Sequence, residues 1–175
     1  MSVESSESVE SSESSESVES VESGESRESS DQVDVRGPRF AAWLTTAVLL
    51  GVLAISAFDT TAAAVLLAAQ AAVFAIGALR GPRRHPYGLL YAAFVAPRLG
   101  PVTEREPAAP LRFAQLVGFV FALAGVLGFG TGLVGLGLVA TALALAAAFL
   151  NAAFGICLGC QIYPLATRLR AGLGT

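Results

Sequence analysis

Four stretches, residues 40–58, 61–79, 113–130 and 133–154, carry no charged side chain, and this constrains the fold more than anything else in the chain. A helix needs about 20 apolar residues to cross the hydrocarbon of a bilayer, and only a helix or a closed barrel satisfies its own backbone polar groups there. With 54% hydrophobic and 14% charged residues in a chain of 175, the sequence is too apolar for an ordinary soluble domain. The expected fold is all-α and membrane-embedded, a domain over 36–170 with four transmembrane helices arranged as two antiparallel hairpins. The connections within each hairpin, around Asp59 and Gly130-Thr131-Gly132, are too short to hold a domain.

The distribution of charge sets the expected orientation. Residues 1–35 carry eleven acids against Arg27, whereas from Arg36 onward ten Arg face Asp59, Glu104 and Glu106. Those Arg precede the first span (Arg36, Arg39), separate the second from the third (Arg80, Arg83, Arg84, Arg98, Arg105, Arg112) and follow the fourth (Arg168, Arg170). The positive-inside rule then predicts a multi-pass protein of the cytoplasmic membrane with both termini in the cytoplasm. Trp43, Tyr87, Tyr91 and Tyr163 fall toward the same side, where amphipathic rings prefer the interface. The bilayer is the partner this pattern calls for, and nothing in it calls for nucleic acid. No basic segment precedes an early apolar run, so no cleavable signal peptide is expected.

The tail, 1–35, repeats Glu at every third position from Glu4 to Glu28, with Ser or Val in most of the positions between. A period of three gives neither a helix nor a strand a usable face, and there is little apolar surface to bury, so the tail is expected to be disordered. Lys is absent throughout, and a Lys-free body behind an acidic tail resembles halophile proteins in composition. Residues 80–112 form the one substantial connection. Its apolar core, 87–96, is too short to cross a bilayer and is bounded by Pro86 and Pro97, which predicts a short interfacial or re-entrant helix.

Inside the spans, small residues recur at helical spacing: Ala64, Ala68 and Ala72; Ala114, Gly118 and Ala122; Ala140, Ala144, Ala148 and Ala152. Such stripes let helices approach closely in lipid, where apolar burial alone gives no drive to associate. Gln70 and Asn151 are the clear polar side chains within the spans, and interhelical hydrogen bonding is the expected use of both. On a continuous helix Asn151 lies far round from the cysteines that follow it.

Cys157 and Cys160 are the only cysteines and stand in a Cys-x-x-Cys. On a helix, residues three apart share a face, so the two sulfurs can pair or hold one ligand. The plain alternative is two small residues packed at a helix end. In thioredoxin-like proteins such a pair opens a helix, whose amide end stabilises the thiolate. Here the pair comes at the end of a span, just before Tyr163-Pro164, where a continuous helix would present its carbonyl end and disfavour thiolate; Gly155 and Gly159 offer a break instead. No metal or cofactor is expected: His85 is the only His and leaves a zinc site short of a fourth ligand within one chain, though a homo-oligomer could pool four Cys. Covalent haem is excluded by Gln161 where a His would follow the second Cys.

Three stretches, 34–40, 96–101 with 111–115, and 151–163, resemble a family of small bacterial and archaeal membrane proteins known as a domain of unknown function. The resemblance covers 34–164, and the closing Cys-Leu-Gly-Cys is its most specific part. It implies a four-span protein associated with thioredoxin-like or sulfur-transfer proteins, and it raises Cys157 and Cys160 as candidate catalytic residues. The expectation is thus a cytosol-facing dithiol for thiol redox or sulfur relay with a soluble thioredoxin-like or sulfurtransferase partner. The alternative is a noncatalytic scaffold or accessory subunit that docks a cytosolic partner through the Arg-rich loop.

Overall fold

The computed structural model describes residues 32–81, 84–101 and 104–172. Most of the acidic tail and Arg83 therefore lie outside the described residues, as does the side chain of Arg170. A short strand β1 (Gln32–Asp34) precedes the long helices α1 (Arg36–Ser56) and α2 (Thr60–Arg80). The connection that follows holds α3 (Pro86–Leu90), continued by a wider turn of helix over Tyr91–Val95 and a tighter one over Ala96–Arg98. Strand β2 (Arg105–Pro107) then leads into α4 (Ala108–Gly130), α5 (Val134–Phe154) and α6 (Leu158–Gly172). The two strands pair with each other.

Local chemistry explains several of these boundaries. The carboxylate of Asp59 accepts hydrogen bonds from the Thr61 and Ala62 amides at 2.8 and 3.0 Å, an N-cap of the kind that contributes about 1 kcal/mol. Pro86 stands at the first position of α3, where its missing N–H has no partner to lose. Helix α1 starts four residues before the apolar block, with Pro38 in its first turn, where proline is tolerated.

Helices α1, α2, α4 and α5 are each long and apolar enough to cross a membrane. They pack as a ring in which α2 and α5 each lie against both α1 and α4. Bulky apolar side chains cover the outside of the bundle, and the interior mixes small residues with Leu49, Val52, Leu67 and Phe74. Ala63 and Ala122 are fully buried, while Leu79 is 77% and Val65 66% exposed. Apolar side chains this bulky on the outside, with small ones among those inside, suit a lipid exterior and close helix packing.

The small-residue stripes are used unevenly. Ala122, Ala140, Ala144 and Ala152 are buried as expected. In α2, however, Ala68 and Ala72 are exposed, and the buried face is instead Ala63, Leu67, Gln70, Ala71, Phe74 and Gly77. In so Ala-rich a helix two such faces exist, and the larger Leu67 and Phe74 decide which turns inward. Helices α4 and α5 approach closely. A Cβ placed on Gly128 would overlap the backbone of Gly137, whose Cα would lie 2.8 Å away.

The Cys pair and the cavity beside it

The apolar run from α5 into the Cys motif is not one helix. It breaks at Gly155, which adopts the left-handed conformation (φ 69°) that glycine takes without steric cost. The Gly155 amide still reaches the Asn151 carbonyl at 3.1 Å, and Ile156 reaches Leu150 at 3.3 Å, closing α5. A side chain at 155 would collide with the guanidinium of Arg39, which occupies that space.

A new helix, α6, then begins at Leu158. Cys157 sits where an N-cap residue would: its carbonyl accepts the Gln161 amide at 3.1 Å, and its sulfur accepts the Cys160 amide at 3.3 Å. Cys157 and Cys160 are joined as a disulfide with their Cα atoms 5.2 Å apart. This corrects the expectation of a pair at the carbonyl end of a span. Of the two open alternatives, the break at Gly155 is the one the chain adopts, so the amide end of a helix faces the sulfurs. Pro164, expected to stop the helix, lies inside α6, where it removes one hydrogen bond without ending the helix. Gly159 does not break the chain either; it lets α6 lie close on α4, since a Cβ there would come within 2.6 Å of Ala114.

Cys157 forms part of the wall of a cavity of about 310 Å³ at the end of the bundle where α1 and α4 begin and α5 ends. Most of its lining is apolar and small; Thr45, Gln115 and Asn151 supply polar groups. The break in the chain also revises the position of Asn151. Read along an unbroken helix it points away from the thiols, yet it lines the same cavity as Cys157. Next to the cavity lies a polar recess of about 40 Å³ whose walls include Arg39, Glu104, Glu106 and, again, Asn151.

A buried polar cluster stands behind the cavity. Gln70, expected to bond a neighbouring span, instead accepts a hydrogen bond from the hydroxyl of Tyr87 in the connecting segment, 2.7 Å. The Tyr87 ring meets His85 edge-on at 5.3 Å. His85 and Gln115 converge over Gly77, where a Cβ would be 2.6 Å from the imidazole and 3.0 Å from the amide. Gln70 Nε2, His85 Nε2 and Gln115 Oε1 are buried with no hydrogen-bond partner among the described residues. Burial also raises the Tyr87 phenol above its ordinary range.

Burial lowers the pKa of His85 from 6.5 to about 4. The folded protein thus resists a proton that the unfolded chain accepts near 6.5. Stability from this group is complete above that value and is lost as the pH falls toward 4. Between about pH 7 and about pH 5 the loss amounts to about 2 kcal/mol. Denaturation followed by tryptophan fluorescence in detergent checks this: His85→Gln should show a clearly flatter pH dependence than the parent over that range.

Asp34 and Arg36 have a role the sequence did not disclose. One carboxylate oxygen of Asp34 accepts the Arg36 amide at 3.0 Å and the other the Tyr91 hydroxyl at 3.1 Å. The Arg36 guanidinium donates to the carbonyls of Gly100 and Pro101 at 3.2 and 3.3 Å. Together with the strand pair they fasten the entry to α1 onto the central connection. The only available signal was an Asp-x-Arg just before a span, which does not reveal a partner more than fifty residues away. Among the described residues no three His, Cys, Asp or Glu side chains come together as a metal site.

Four apolar helices with bulky side chains outward and a cysteine pair at one end mark a multi-span membrane protein. The chain belongs to the family described as Domain of unknown function (DUF4395), whose profile matches residues 33–168. No curated protein and no solved structure matches it.

Proposed function

We propose that this is a multi-pass protein of the cytoplasmic membrane whose Cys157–Cys160 pair serves as a cytosol-facing dithiol, exchanging electrons or sulfur with a soluble thioredoxin-like or sulfurtransferase partner. The observation that carries the reading is Cys157 at the start of α6 with the Cys160 amide on its sulfur. Amide dipoles aimed at a sulfur stabilise the thiolate, the form that attacks. In exchange, a thiolate of a dithiol partner attacks the Cys157–Cys160 disulfide, the partner's second cysteine displaces the mixed disulfide, and the partner leaves oxidised with the pair reduced; the same steps run backwards from a partner disulfide. Sidedness rests on the Arg residues, which gather near the ends of α1, α2 and α4 that meet the central connection: Arg112, for one, donates to the Leu79 carbonyl at 2.8 Å.

The test is differential alkylation of oxidised and reduced membranes. Both cysteines are expected to pass between a blocked and a labelled form, and an impermeant reagent outside intact cells should leave them untouched. A pair fixed in one form would end the dithiol reading. The scaffold reading is favoured by one observation, the exposure of Arg84, Arg98 and Arg105 on the connecting segment. Function that survives Cys→Ser at both positions but not loss of these Arg would select it.

A further inference from the structure

We infer that the cavity beside Cys157 receives the ring of a lipid-soluble quinone, which takes the electrons of the Cys157–Cys160 dithiol. This rests on the dithiol reading and names its second substrate. The walls come from all four long helices and from α6, and Ala41, Ala114, Gly118, Ala147 and Ala148 keep the space open where larger side chains would fill it. Apolar voids cost stability when packing alone sets side-chain size, so a run of small residues around one cavity calls for an occupant. At about 310 Å³ the space is at the lower end of small-molecule sites. It fits one substituted ring and the start of a side chain, and it is too small for a peptide or a protein partner.

The chemistry of the lining narrows the occupant further. Phe74 and Phe121 contribute aromatic side chains to the lining, and Thr45, Gln115 and Asn151 carry donors for two carbonyl oxygens. Among the described residues no acidic or basic side chain lines the cavity, so a charged occupant would go unpaired. A soluble redox protein meets the sulfurs from water; what reaches Cys157 from within an apolar bundle must be small, uncharged and soluble in lipid. The reaction balances without another reagent. Each thiol gives up one proton and one electron as the S–S bond forms, and the two quinone carbonyls take up both pairs to become the hydroxyls of a quinol.

The full-length protein, reduced and freed of reductant in detergent, is mixed with a fully ring-substituted benzoquinone carrying a decyl chain, which has no ring position open to thiol addition. Quinone absorbance and free thiols are followed together. The expected result is one quinol formed per disulfide formed. The rate should fall at least about tenfold in Ala147→Phe and in Val117→Trp, which fill the cavity from two different helices. Diamide should still oxidise the pair in both variants at the parent rate, showing that they are folded and that their dithiol works. Thiols that diamide oxidises but the quinone leaves reduced would overturn the assignment, as would filled variants that react as fast as the parent. Thiols resistant to both oxidants would remove the dithiol reading itself, and this one with it.

Discussion

Gly128→Val is expected to lower the stability of the bundle by about 3 kcal/mol, at the upper end of what overpacking costs. Gly128 faces Gly137 across α4 and α5, and the atoms in the way are backbone. A side chain that meets another side chain can turn aside; one that meets a backbone must push a whole helix. Close backbone approach is also what holds helices together in lipid, so separating them removes attraction as well as adding strain. The matched control is Gly135→Ala, on the same helix as Gly137, where an added Cβ meets nothing within 4 Å. It should change stability by no more than about 0.5 kcal/mol. Denaturation in mixed micelles reads both, and a Gly128→Val protein as stable as its parent would show that the two helices do not meet in this way.

Cys160→Ser should trap the disulfide form of a soluble partner as a stable mixed disulfide, whereas Cys157→Ser should trap none. The asymmetry follows from α6. Cys157 precedes the first turn and its sulfur receives the Cys160 amide, while Cys160 lies within that turn. The thiolate stabilised by the helix start is therefore that of Cys157, the attacking group, and Cys160 resolves. In the reduced protein Cys157 should also alkylate at least about tenfold faster than Cys160 near neutral pH. Mass spectrometry of the two alkylated peptides over a time course gives the ratio. Equal rates, or trapping by the other variant, would assign the roles differently.

The four long helices were legible because charge-free blocks of their length have few alternatives in water or lipid. Their inward faces were less so. In α2 the choice between Ala64-Ala68-Ala72 and Ala63-Leu67-Ala71 depends on what lies across from them, and spacing alone carries no such information. The Cys site was half visible. Its residues stood out, but the direction of the helix beside them turned on whether Gly155 or Gly159 broke the chain, since hydropathy runs unbroken through both. Gly155 does so, and Arg39, distant in sequence, occupies the place of its missing side chain. The same break brings Asn151 to the cavity. His85 and Gln70 were noticed for their types, as a candidate ligand and an interhelical contact. Their actual neighbours, Tyr87 and Gln115, come from the connecting segment and from α4.

The apolar exterior of the bundle has a consequence for how this protein tolerates change. A comprehensive substitution map of the four long helices should show its helical period in volume rather than in polarity. Outward positions such as Val65 and Leu79 should accept any aliphatic residue, while inward alanines should reject even a modest enlargement that remains fully hydrophobic.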